Sequence, residues 1–169
     1  MSANEDTLNS RAHLPIPSYE DHIHCLEGED AWQNFQGKDL GAAERMFLEA
    51  PYAYQEDFMW MGTPAFCYYF LIVDRYIRSI VSTAELDDNC VWILSACIGM
   101  HFDCGGRLGS IREEVVSLCD YVLRESHRFV YPAHDSHVQD RLEIEQRYAE
   151  LREKALRHID GQRPVDDSQ

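Results

Sequence analysis

The side chains best suited to chemistry come in short groups. His22-x-His24-Cys25, His101-x-x-Cys104 and His134-x-x-His137 each bring imidazole or thiol groups close together along the chain. Residues three apart share one face of a helix, so the second and third groups could each offer two ligands to a tetrahedral zinc ion. His22 and His24 do not share such a face. There is no C-x-x-C and no H-E-x-x-H, and scattered structural or surface histidines account for the pattern better than a metal centre. The expectation is no metal, no cofactor and no catalytic residue.

Other chemistry reads more blandly still. Gly105-Gly-Arg-Leu-Gly-Ser110 leads into a helix start, a place where free N–H groups and Arg107 could hold an anion. It lacks the Lys-Ser/Thr ending and preceding strand of a phosphate loop, so a helix–helix turn explains it. No G-x-S-x-G is present. The cysteines with helical apolar neighbours read as packing residues. Glu56-Asp57, Asp87-Asp88 and Glu113-Glu114 could do acid–base work if one member were buried, yet adjacent positions do not share a helical face. Asp74 and Arg78 differ, being an i,i+4 pair inside the most apolar segment; the spacing suits a structural ion pair that locks helix register, with a place at a binding groove as the alternative.

The element that must position the rest is that apolar segment. Thr63 suits an N-cap and Pro64 the first helical position. Phe66, Tyr69, Phe70, Val73, Ile77 and Ile80 follow at helical spacing, and Tyr68, Leu71 and Ile72 cover the opposite side of the first turns. A helix apolar all round is surrounded by protein. The prediction is an all-α fold, a single-domain bundle of about five to six helices around a central apolar helix (63–82). Residues 1–17 form a flexible N-terminal arm, 18–160 the helical domain and 161–169 a disordered tail.

Along the domain, Ser18 with Asp21 marks a helix start with Tyr19, Ile23 and Leu26 inward, and Gly28 interrupts it before Trp32, Phe35 and the stop at Gly37. Asp39 caps a helix carrying Leu40, Ala43, Met46 and Phe47 up to Pro51. A short aromatic connection, Pro51–Phe58, leads into the apolar segment. After a polar hinge, a helix starting at Asp87 or Asp88 carries Val91, Leu94, Ile98 and Phe102, beside a stripe of Cys90, Cys97 and Cys104. Gly105-Gly106 ends it. Ser110 and Glu113 form a capping box for a helix reaching about Tyr131. The last helix starts at Asp135 or Ser136 and turns Ile144, Tyr148, Leu151, Ala155 and Ile159 inward, with i,i+4 pairs such as Glu143–Arg147 and Glu153–Arg157 outside.

Composition bounds the partners. The 169 residues carry a formal net charge of −15, which argues against nucleic acid or an anionic membrane. Residues 1–62 alone hold 12 acidic and 3 basic side chains. The longest apolar run, 65–73, is far short of the ~20 residues of a spanning helix, and Met1–Ser10 does not resemble a signal peptide. A soluble, cytoplasmic protein with buried free thiols is expected.

At Met61-Gly62-Thr63-Pro64-Ala65-Phe66-Cys67-Tyr68-Tyr69-Phe70 the chain resembles small uncharacterised bacterial proteins whose Met-Gly-x-x-Ala-Phe-x-Tyr-Tyr motif opens a long helix. The likeness extends loosely from about Gly37 to Phe102. It implies the fold and carries no catalytic residue with it. By type, a small acidic helical bacterial protein is similar to toxin-immunity proteins and antitoxins.

The function expected is therefore that of a non-enzymatic acidic binding protein that neutralises a cognate, basic toxin domain by occlusion. Glu27, Glu29, Asp30, Glu56 and Asp57 are the expected acidic contacts, and Trp32, Tyr52 and Tyr54 the exposed aromatic anchors. Two alternatives belong to other classes. One is a small metal-dependent enzyme using His22, His24, His101, His134 or His137. The other is a homodimer or helical homo-oligomeric scaffold built on the last amphipathic helix.

Overall fold

A computed structural model of the chain describes residues 15–21, 25–80, 85–131 and 135–158. The expected tail, most of the arm, His22, Ile23, His24, His134 and Ile159 lie outside these. All regular structure among the described residues is helical. Six helices have ten or more residues, and the shorter turns raise the count above the five to six expected. They are α1 (Leu26–Phe35), α2 (Leu40–Glu49), the one-turn helices α3 (Pro51–Tyr54) and α4 (Asp57–Trp60), α5 (Thr63–Ser79), α6 (Glu85–Asp103), α7 (Arg112–Glu125) and α8 (His137–Arg157). Single 3-10 turns occupy Tyr19–Asp21 and Ser126–Phe129. No helix among the described residues is long and apolar enough to cross a membrane.

α5 buries Phe66, Tyr68–Asp74, Tyr76 and Ile77, and it packs on α2, α6 and α7. Burial is shared with α6, whose Cys90, Val91, Leu94, Cys97, Ile98 and Phe102 are enclosed between α4, α5 and α8. Edge-to-face rings join α1, α2, α4 and α5: Phe58 meets Phe35 at 5.5 Å and Phe47 at 5.3 Å, and Phe35 meets Tyr69 at 5.0 Å. Each such pair adds about 0.5–1.5 kcal/mol beyond its buried area. The Tyr69 hydroxyl donates to the carbonyls of Lys38 (2.7 Å) and Phe35 (3.1 Å), fixing the α1–α2 connection. The Tyr148 hydroxyl donates to the Val91 carbonyl at 3.0 Å and ties α8 to α6.

Gly37 and Gly105 end α1 and α6 at the positions read from sequence, with φ of 66° and 68°. Several expected starts differ. Gly28 does not interrupt α1: it lies in the first turn, where its N–H is accepted by the Sγ of the N-cap Cys25 at 3.3 Å. Gly62, with extended backbone, is the N-cap of α5, so Thr63 is already helical. The Ser110–Glu113 capping box does not form, because burying Leu108 and Ile111 sets the register and makes Ile111 the N-cap of α7. α6 begins at Glu85, and α7 gives way to the 3-10 turn at Ser126.

Three side chains expected inside are outside. Leu26, at the first position of α1, points away from the buried Gly28, Ala31 and Phe35 and is 83% exposed. Tyr19 is exposed in its 3-10 turn. Cys104 lies past the end of α6, so only Cys90 and Cys97 of that stripe are buried. On α8, Arg147 stacks over Trp92 at 3.8 Å instead of pairing with Glu143, and Arg157 donates to the backbone carbonyl of Glu153.

Candidate functional site

Because α1 buries Gly28, Ala31 and Phe35, its polar residues fall on two flanks. Glu27, Asp30 and Asn34 recur at i, i+3 and i+7 and share the flank beside α4. There Asn34 Nδ2 donates to Asp57 Oδ2 at 2.8 Å, and Asp57 stands in the first turn of α4. Burial pushes the Asp57 carboxyl up to about 6; the Asn34 bond opposes that rise, and the charges of Asp30 and Glu56 add to it. Asp30 and Glu56 are exposed while Asp57 is half-buried. Among the described residues, no basic side chain pairs with Glu27, Asp30, Glu56 or Asp57. The structure thus brings together Asp30, Glu56 and Asp57, with Glu27 exposed one turn before Asp30 on the same flank.

The other flank takes the remaining α1 candidates elsewhere. The Tyr19 hydroxyl donates to Glu29 Oε1 at 2.8 Å, and the Tyr19 ring meets Trp32 edge-on at 5.7 Å. Trp32 is therefore half-buried against the 15–21 segment, not an open anchor. Tyr54 is half-buried and packs on the core, which corrects its reading as an exposed anchor. Tyr52 alone of the three aromatic candidates is exposed.

The acidic face rests on a firm base. His101 Nε2 donates to the Phe58 carbonyl at 2.8 Å, and its ring stacks on Phe66 at 3.9 Å. Cys97 Sγ donates to the Gln55 carbonyl at 3.4 Å. Burial lowers His101 to about 4 and pushes the Cys97 thiol up to about 12, so the imidazole stays neutral and the thiol stays protonated at pH 7. Gln55 Oε1 is buried with no hydrogen-bond partner among the described residues. Asn34 and Gln55 escaped the sequence reading. Asn34 was detectable as the residue one turn beyond Asp30 on the same flank; Gln55 had no comparable local signal.

Of the three His/Cys groupings, only His101-x-x-Cys104 lies wholly within the described residues, and it does not assemble. His101 is buried with its Nε2 committed, while Cys104 is exposed. His137 is half-buried in the first turn of α8. Among the described residues, no three His, Cys, Asp or Glu side chains converge as metal ligands. A cleft of about 600 Å³ opens between the 15–21 segment and the starts of α5 and α7, with Cys67, Tyr68 and Glu114 in its lining. Among the described residues, no histidine lines it to activate the thiol.

No family model, no curated protein and no solved structure matches this chain.

Proposed function

We propose that this chain is a non-enzymatic binding protein that receives a basic protein surface on the face formed by Glu27, Asp30, Glu56 and Asp57. The observation that carries this reading is the convergence of carboxylates from α1 and α4 without a described cation among them. A carboxylate held near 6 by burial and like charge is relieved when a lysine or arginine enters its surroundings. The same entry is speeded by the −15 net charge of the chain. Exposed Tyr52, in the turn before α4, supplies an aromatic contact.

In its particular form, the proposal is an immunity protein or antitoxin that covers the basic active-site surface of a cognate bacterial toxin. Co-expression with the product of the adjacent gene tests it. Protection of the host and a stoichiometric complex are expected, both lost in the Asp30→Lys, Glu56→Lys double variant. A neighbour that neither binds nor harms the host overturns the toxin reading. Retention of a complex by the double variant overturns the assignment of the face.

A further inference from the structure

α8 carries an apolar ridge that the other described residues leave exposed. Val138, Leu142 and Leu156 are 58%, 49% and 51% exposed, and Ala149 is exposed between them. At about 100° per residue, these four side chains fall within roughly 40° of one another. The buried set Ile144, Tyr148, Leu151 and Ala155 faces well away from them. An apolar stripe of this kind along a 21-residue helix marks an interaction surface.

The spacing on the ridge is self-complementary. Leu142 and Leu156 each stand seven residues from Ala149. In two antiparallel copies of α8 related by a two-fold axis at Ala149, Leu142 of each copy meets Leu156 of the other. The alanine methyls face each other at the centre, which lets the backbones approach closely. The charges on one flank obey the same symmetry, since Glu145 falls opposite Arg152 on both sides of the axis. On the other flank Gln146 meets Glu153, without repulsion. An isologous contact requires this reciprocity, in which residue i meets j and j meets i. We propose that this ridge is the contact between two copies of the chain, packed antiparallel through α8 about Ala149. The surface is separate from the acidic face and its test needs no other partner.

Within one chain, Glu145 already accepts from Ser126 and pairs with Arg141, and Arg152 pairs with Asp120. A charge reversal therefore has a small effect inside the monomer as well, and the test must separate the two. Sedimentation velocity of the full chain from about 5 μM to about 500 μM covers the weak association that a single-helix contact gives. A shift from monomer to dimer is expected, abolished by Leu142→Glu. Glu145→Arg alone and Arg152→Glu alone should each weaken dimerisation about tenfold or more. An equimolar mixture of the two should recover it, because the heterodimer restores both ion pairs. A wild-type chain that stays monomeric throughout, or a mixture no better than the single variants, overturns the proposal.

Discussion

His101 Nε2 lies 2.8 Å from the carbonyl oxygen of Phe58, and this bond holds α4 against the last turns of α6. A carbonyl only accepts, so Nε2 carries a proton, and burial, which lowers the group to about 4, keeps the ring neutral at pH 7. The acidic pair beside Phe58 is thereby held by a buried imidazole, stacked on Phe66, whose ionisation carries a desolvation cost.

Stability should fall on acidification through His101. Its folded value, about 4, lies below the ordinary 6.5, so the unfolded chain takes up the proton first. The contribution is complete above 6.5 and drains away as pH falls toward 4, by up to about 3 kcal/mol. Urea unfolding between pH 7 and pH 4 should show this loss, with a shallower slope in His101→Gln. An unchanged slope in the variant would mean that the imidazole titrates normally.

Asp57 has the opposite sign. Its folded value, about 6, lies above the ordinary 3.8, so its contribution is present below 3.8 and lost as pH rises through about 6. Asp57→Asn retains an acceptor for Asn34 and should stabilise the fold at pH 7 by about 1 kcal/mol, after discounting for partial solvation, with no gain below pH 4. The same variant should weaken partner binding, which separates a functional carboxylate from a structural one.

Gln55→Met should raise stability by about 1 kcal/mol, because it removes a buried acceptor that has no donor and keeps the side chain's length. Thermal unfolding reads this directly, and a destabilised variant would place an unseen donor at Oε1.

Arg78 Nε donates to both carboxylate oxygens of Asp74 at 2.9 and 3.0 Å, and its guanidinium lies 4.8 Å from the Tyr121 ring centroid. Asp74 is only 7% exposed. Arg78→Met should therefore cost about 3 kcal/mol. Asp74→Ala should cost less in that background than alone, by about 1 kcal/mol or more, which a double-mutant cycle measures. Additive effects would show that the two side chains do not interact.

Local rules carried the sequence reading as far as local forces reach. Asp39 caps α2 by accepting from the Ala42 N–H at 2.7 Å, and the apolar spacing of α5 matches its burial. The errors arose where long-range packing overruled a cap. Ile111 displaced Ser110 because enclosing an isoleucine outweighs one hydroxyl–amide bond. Trp32 and Tyr54, read as open aromatics, were claimed by Tyr19 and by the core.

Apolar periodicity, caps and glycine stops act between residues a few positions apart, so the sequence by itself determined the all-helical class and most of the core. It also marked the N-terminal third as the acidic part of the chain. Only the tertiary structure decided which carboxylates meet, since Asp30 and Asp57 belong to different helices and their mutual charge depends on how α4 packs on α1. It likewise decided that the outer ridge of α8 stays exposed among the described residues. Burial and electrostatic coupling depend on separation in space, and spacing along the chain fixes that only within a single element.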